Sequence, residues 1–227
     1  MTAFQIKLIA IITMVIDHIG LFFFPQIVWF RVVGRLSFPL FAWLIANGAH
    51  HTHSINAYLR RLFLFAVLSQ VPYFLANRLI DSSFWTLNVL FTLFLGLLAI
   101  KGIMMTTDKR KWVIIVIFCV VLASLFKTDY EAMGVLSVVA FYIFFTNKRY
   151  LIWSQIVIFL APVFVQFGVS LYHHDVSSAA VVIKMFELPG LFSLVFIMFY
   201  NGKEGIKTKY FLYVFYVVQY WVIFFLK

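Results

Sequence analysis

Runs of about twenty apolar residues recur along the whole chain, each closed by a short cluster of charges or by a turn. Twenty residues of α-helix at 1.5 Å rise cover roughly 30 Å, the thickness of the hydrocarbon core of a bilayer. Water offers such runs no shelter. Of 227 residues, 64% are hydrophobic and 11% charged, whereas an ordinary soluble domain has about 45–50% and about 25%. The pattern predicts an all-α fold, a polytopic transmembrane helical bundle with the lipid bilayer as its solvent. Nine candidate spans are read at residues 4–24, 30–49, 60–79, 85–105, 111–127, 132–147, 150–171, 181–200 and 209–226. The connections between them are too short for an appended soluble domain, so residues 1–227 read as one transmembrane domain.

A net charge of +10 in a soluble protein would suggest a nucleic-acid partner. Here the positive residues sit at the ends of apolar runs, which is how cytoplasmic loops are marked. Arg60 and Arg61, then Lys109, Arg110 and Lys111, then Lys148 and Arg149, then Lys203, Lys207 and Lys209 all fall on one side of the predicted bundle. The opposite loops carry Arg78 with Asp81, Lys127 with Asp129 and Glu131, and His173 with His174 and Asp175. The expectation is a cytoplasmic N-terminus in a multi-pass plasma-membrane protein, with no nucleic acid bound. Trp29, Trp85, Trp112, Trp153 and Trp221 lie near span ends, as interfacial anchors do. The first run is long and polar at Asp17 and His18 and lacks a small-residue cleavage site, so it reads as a retained span rather than a signal peptide. Cys119 is the single cysteine, which excludes an internal disulfide and a cysteine-based metal site.

Charged side chains in hydrocarbon cost about 2.5–3.5 kcal/mol each on insertion scales and usually face a bundle interior. Asp17, His18, Arg31 and Arg35 therefore need an account. Asp17 and Arg35 fall at matching depth in the first two spans, so an ion pair between them is expected. Arg31 and Arg35, four residues apart, share a helix face beside Asp17. Histidine is the side chain in this group whose ordinary pKa lies near neutrality, which makes His18 the candidate for proton exchange. Gln70, Asn88 and Asp129 approach the same outer layer from other spans. Two other readings fit these residues. They serve as hydrogen-bonded glue between helices, or they line the pathway of a transporter or channel. His50, His51 and His53 read as a solvated loop, and no metal is expected. Glu187 before Leu188-Pro189-Gly190 marks a break in the eighth span. Neither a Walker loop, a Rossmann fingerprint, a nucleophile elbow nor an HExxH motif occurs.

The stretch Lys7 to Gly20 with Asp17-His18 inside it, followed by Arg31-Val-Val-Gly-Arg35-Leu-Ser-Phe-Pro39-Leu-Phe41, resembles the TraX family, known for acetylating the N-terminus of conjugative pilin. The similarity continues through Asn56-Ala-Tyr58-Leu-Arg-Arg61, Leu68-Ser-Gln-Val-Pro72, Leu87-Asn88, Asp129-Tyr130 and Tyr200-Asn-Gly202, and covers essentially the whole chain. That family is in turn similar to integral-membrane acyltransferases in which a basic residue and a histidine flank ten residues of the first span, a spacing Lys7 and His18 reproduce. Eleven residues of helix place the two on nearly one face, about 16 Å apart along the axis. The resemblance implies acetyl-CoA as co-substrate, with Lys7, Arg60, Arg61 and Lys207 as candidates for its phosphates and His18 as general base. Asp17 would orient it, and Arg35 or Asn88 would stabilise oxyanion charge. Arg31, Gln70, Asn88, Asp129 and Gln219 would contact the acceptor, which is a pilin, another peptide amine or a cell-envelope hydroxyl. Relatives end on a Tyr-Pro-x-His pattern where this chain has Tyr216-Val-Val-Gln219. A glutamine hydrogen-bonds but relays no proton at neutral pH. The implied alternative to an enzyme is a non-catalytic assembly partner of a pilus or secretion system.

Overall fold

The structure is a computed structural model that describes residues 1–172, 181–182, 185–208 and 210–227; His173, His174, Asp175 and Lys209 lie outside the described residues. Among the described residues the regular elements are helical: α1 Ala3–Phe23, α2 Val28–Gly34, α3 Ser37–His51, α4 Ile55–Arg78, α5 Val89–Met105, α6 Lys109–Leu125, α7 Glu131–Ile143, α8 Lys148–Tyr172, a 3-10 turn Leu188–Phe192, α9 Ser193–Met198 and α10 Phe211–Leu226. Four apolar stretches among the described residues are long enough to cross a membrane: Ala3–Phe23, Val28–His51, Ile55–Arg78 and Lys148–Tyr172. Shorter apolar helices occupy Val89–Met105, Glu131–Ile143, Leu188–Met198 and Phe211–Leu226.

Local chemistry explains most boundaries. Ser54 caps α4, its hydroxyl accepting from Ala57 N at 3.3 Å, so the helix begins five residues before Arg60 rather than at it. Asn88 and Asp108 start α5 and α6 in the same way. Lys109 to Lys111 and Lys148-Arg149 lie in the first turns of α6 and α8, where the macrodipole disfavours positive charge, and Arg60-Arg61 lie in the second turn of α4. A membrane-surface role accounts for that placement better than helix electrostatics does. The second apolar stretch is broken at Arg35-Leu36. Pro39 has no N–H to give the Arg35 carbonyl one turn back, so α2 ends and α3 begins anew.

The chain forms two compact units. The first contains residues 1–41 and 144–205, and the second residues 42–143 and 206–227. In the first, α1 opens on a capping box between Thr2 and Gln5. The next free N–H groups, of Ala3 and Phe4, donate to the carbonyls of Lys203 and Glu204 at 2.9 and 3.0 Å. The segment following α9 is thereby tied to the start of α1. Gly205, at φ +76°, makes the turn; a Cβ there would sit 2.8 Å from Thr2 Oγ1.

In the second unit, Leu95, Ala99, Val116, Cys119, Ala123, Val135 and Val139 pack α5, α6 and α7 together. Small residues permit the approach. A Cβ on Gly96 would stand 2.7 Å from Val138 Cβ, and one on Gly102 would stand 2.5 Å from Ile115 Cγ2. The outer face of α6, with Ile114, Ile117, Phe118, Val121 and Leu125, is exposed at helical spacing, as a lipid-facing stripe requires. Leu87 N donates to Lys127 O and Asp129 N to Leu87 O, at 3.1 and 3.0 Å, pairing the loops that precede α5 and α7.

Trp29, Trp85 and Trp153 are exposed at the ends of their apolar runs, whereas Trp43 is fully buried in the body of α3. His50 and His51 belong to the last turn of α3 rather than to a loop. His51 Nδ1 lies 2.8 Å from Asn47 O and His50 Nε2 3.0 Å from Tyr142 O, so each is engaged with a backbone carbonyl.

Candidate active site

In the first unit, α1 and α2 pack at glycines. A Cβ on Gly20 would fall 2.4 Å from Phe30 Cβ, and one on Gly34 2.1 Å from Asp17 Oδ1. Without these two glycines Asp17 would not reach α2. It does, and there it meets Arg31: Arg31 Nη1 donates to Asp17 Oδ2 at 2.6 Å. Arg35 Nη2 stands 3.4 Å from the other carboxylate oxygen. The closer partner of Asp17 is thus Arg31, although depth along the helices pointed to Arg35. Arg35, the C-cap of α2, keeps the helical register, its N–H donating to Arg31 O at 3.1 Å; what draws it off Asp17 is a second carboxylate.

Arg35 turns instead towards the break in the eighth apolar run. Its Nη1 donates to Glu187 Oε1 at 2.7 Å. The four side chains form one alternating row, Arg31, Asp17, Arg35 and Glu187, whose formal charges cancel. Charge-assisted bonds of this length are the strong ones, and alternation leaves no carboxylate in the row without a cation beside it. Side-chain exposure is 13% for Arg35 and 15% for Asp17 but 29% for Arg31 and 22% for Glu187, so the row is closed at its middle and open at its ends. His18 is buried against Phe22, edge to face at 6.4 Å, and lies within electrostatic reach of Asp17, Arg31 and Arg35. The structure therefore brings together all four residues of the charged group read from the first two spans and adds Glu187. The signal for Glu187 was its place just ahead of Leu188-Pro189-Gly190; nothing one-dimensional named its partner.

Lys7 is half-buried on α1, with Glu204 within electrostatic reach.

Gln70, Asn88, Asp129 and Gln219 belong to the second unit. Asn88 caps α5, its Oδ1 accepting from Leu90 N at 3.0 Å, while its Nδ2 donates to Ala66 O at 2.9 Å and to Gln70 Oε1 at 2.8 Å. Gln70 Oε1 also accepts from Asn88 N, and its Nε2 donates to Thr86 O at 2.9 Å. With both amide hydrogens of Asn88 engaged, this pair joins α4 to the start of α5, and an oxyanion would have to displace one of its bonds. Asp129 is exposed on its loop. Behind it lies a buried tyrosine group that the sequence reading did not single out. Tyr220 packs edge-on against both Tyr73 and Tyr216 with ring centroids 5.2 Å apart, and Tyr73 Oη is 3.1 Å from Thr86 Oγ1. Gln219 is half-buried one position before Tyr220 on α10. Arg60 and Lys207 are exposed, and Arg61 stacks over the Tyr58 ring at 5.6 Å.

The family model of the TraX protein matches residues 3–227. The chain belongs to the TraX family. Among curated proteins it is 42% identical over 110 residues to one named "Probable fimbrial assembly protein FimC, serogroup H1" from Dichelobacter nodosus, a match covering 44% of this chain and 45% of that one. It is 38% identical over 74 residues to "Protein TraX" of Escherichia coli, covering 32% of this chain and 29% of the relative. It is also 28% identical over 91 residues to "Uncharacterized protein RP591" of Rickettsia prowazekii (strain Madrid E), covering 40% and 33%. The matched region spans less than half the length of each of these relatives. No solved structure matches the chain.

Proposed function

We propose that this TraX-family protein is a membrane-embedded acetyltransferase that moves an acetyl group from acetyl-CoA to an amine, a pilin or other peptide N-terminus, or to a cell-envelope hydroxyl. The observation that carries the reading is the buried His18 beside the row Arg31, Asp17, Arg35, Glu187 in the first apolar unit. A row of paired charges inside an apolar helical unit is expensive to hold. It supplies what acyl transfer requires: a base, a group to orient it, and a fixed cation where negative charge develops.

In this reading His18 takes the proton of the attacking amine or hydroxyl. Asp17, fixed by Arg31, orients His18, and the Arg35 guanidinium faces the oxyanion of the tetrahedral intermediate. The thiolate of CoA leaves and takes up a proton. These roles describe direct transfer; by way of an acetyl-histidine intermediate His18 would itself attack the thioester, releasing the CoA thiolate, and the acceptor would then displace the acetyl group from its ring. Lys7 reproduces the cation spaced from His18 that related acyltransferases carry, and Arg60, Arg61 and Lys207 are further candidates for the phosphates of the donor. We further propose that residues 1–227 act as one transmembrane domain of the plasma membrane with a cytoplasmic N-terminus. The basic clusters at helix starts support that orientation. The four shorter apolar helices together with α6 would complete about nine crossings through local bilayer thinning.

The name of the Dichelobacter relative favours a second reading, assembly of a fimbrial structure without chemistry. One experiment separates the two. Purified protein is incubated with labelled acetyl-CoA and envelope extract, and its thermal unfolding is followed with and without donor. Transfer of label, together with protection by acetyl-CoA through mass action on the folded state, is expected for wild type. Substituting His18→Ala should abolish transfer. Full turnover in that variant, or no donor effect at saturation, would leave the assembly role standing.

A further inference from the structure

We propose that Glu187 is a positioning residue for the reaction. It holds the Arg35 guanidinium away from Asp17 and in register with His18. The inference rests on the acyl-transfer reading above.

Two contacts of different kinds bring the segment 187–190 onto Arg35. The first is the side-chain bond from Arg35 Nη1 to Glu187 Oε1, at 2.7 Å. The second is backbone packing: Gly190 is buried so closely that a Cβ on it would stand 3.0 Å from the Arg35 carbonyl oxygen and 3.0 Å from Phe159 Cε1. That carbonyl is the one Pro39 cannot bond from within the helix. The Leu188-Pro189-Gly190 turn thus seats itself on the α2–α3 break, and Glu187 is the residue at the N-cap of the turn.

The lengths of the contacts decide the consequence. Arg35 lies 2.7 Å from Glu187 and 3.4 Å from Asp17, so its guanidinium is drawn towards the turn and only approaches the α1 carboxylate. Arg31, at 2.6 Å, is then the cation that holds Asp17. Neutralising Glu187 removes the stronger attraction and frees Arg35 to close on Asp17. Both cations would crowd one carboxylate, and the donor aimed at the oxyanion would move. A misplacement of about 1 Å in a reacting constellation lowers turnover about 100-fold.

The test compares wild type, Glu187→Gln and Glu187→Asp, purified in detergent, with labelled acetyl-CoA and envelope extract. Turnover is expressed per molecule that binds acetyl-CoA in equilibrium dialysis, so that any misfolded fraction cancels. Glu187→Gln is expected to lose about 10–100-fold in this normalised rate, with acetyl-CoA affinity within about twofold of wild type. Glu187→Asp, shorter by one methylene but still anionic, should recover part of the loss. If Glu187→Gln yields no folded protein, the Glu187→Asp rate decides. A normalised rate equal to wild type in whichever variant folds overturns the role of Glu187. A loss confined to donor affinity also overturns it. Absence of transfer by wild type itself sinks the acyl-transfer reading and this proposal with it, an outcome that Glu187 variants alone cannot produce.

Discussion

Replacing Gly34 by alanine adds one methyl group where the structure has no room for it, and the consequence can be worked through in distances. The new Cβ would lie 2.2 Å from Asp17 Cβ and 2.1 Å from its Oδ1. Carbon atoms rest at about 3.5–4.0 Å, so α1 and α2 must part locally by roughly 1.3–1.8 Å. The Arg31 to Asp17 contact starts at 2.6 Å and the Arg35 to Asp17 contact at 3.4 Å. Separation along either line takes both beyond hydrogen-bonding reach. One methyl group thus cuts Asp17 off from two arginines without altering a charge. Overpacking costs about 1–3 kcal/mol, and an incompletely screened carboxylate losing its partners adds to this, for about 3–5 kcal/mol in all. In a chain of this size that lowers the midpoint of thermal unfolding by roughly 6–20 °C. The assay is the fraction of protein eluting as folded species by size exclusion after heating in detergent. Gly168→Ala is the comparison, because a Cβ at that position in α8 meets nothing within 4 Å. It should melt at or slightly above wild type. If Gly34→Ala melts within about 2 °C of Gly168→Ala, α1 and α2 do not rest on each other at this glycine and the close packing inferred for the site is wrong.

Asn88→Ala removes the cap of α5 and the two bonds its amide donates to Gln70 Oε1 and Ala66 O, which should lower stability by about 1–3 kcal/mol in the same assay; Asn88→Asp, which keeps the cap but not the donors, should fall between the two. Gly190→Ala pushes the Leu188 turn off Arg35 by a few tenths of an ångström, so it should reduce acetyl transfer more than it reduces melting temperature if the turn positions Arg35. In the loop after α4, the hydroxyl and backbone N–H of Ser83 donate to Asp81 and hold its carboxyl below the usual carboxylate value. The contribution of this depressed carboxylate is present above its unfolded pKa and is lost as pH falls through the folded one. Ser83→Ala should move the Asp81 titration, followed by NMR, upward; an unmoved titration would dismiss the hydroxyl as its cause.

Much of this site was legible residue by residue. Asp17, His18, Arg31 and Arg35 stand out because ionisable groups in apolar runs are rare enough to demand a partner. The two-residue interruption at Arg35 was also written into the chain, in Pro39, yet it was read through as a continuous span because Val28 to His51 is apolar on both sides of it. Asn88 shows the opposite failure. As an isolated asparagine at a span end it suits a ligand contact as well as a helix cap, and only the bonds to Leu90, Ala66 and Gln70 show what its amide is doing.

Composition and the length of its apolar runs determined by themselves that this chain is a helical membrane protein, since no aqueous fold hides so much apolar surface and a bilayer fixes the run length. The sequence also determined that a carboxylate and a histidine would be buried in the first helix. Which cation each carboxylate takes was decided only by the tertiary structure. Ion pairing falls off over a few ångströms, and the residues that settled it are far apart in the chain: Gly34, whose missing side chain admits Asp17 to Arg31, and Glu187, which reaches Arg35 across 152 positions of sequence.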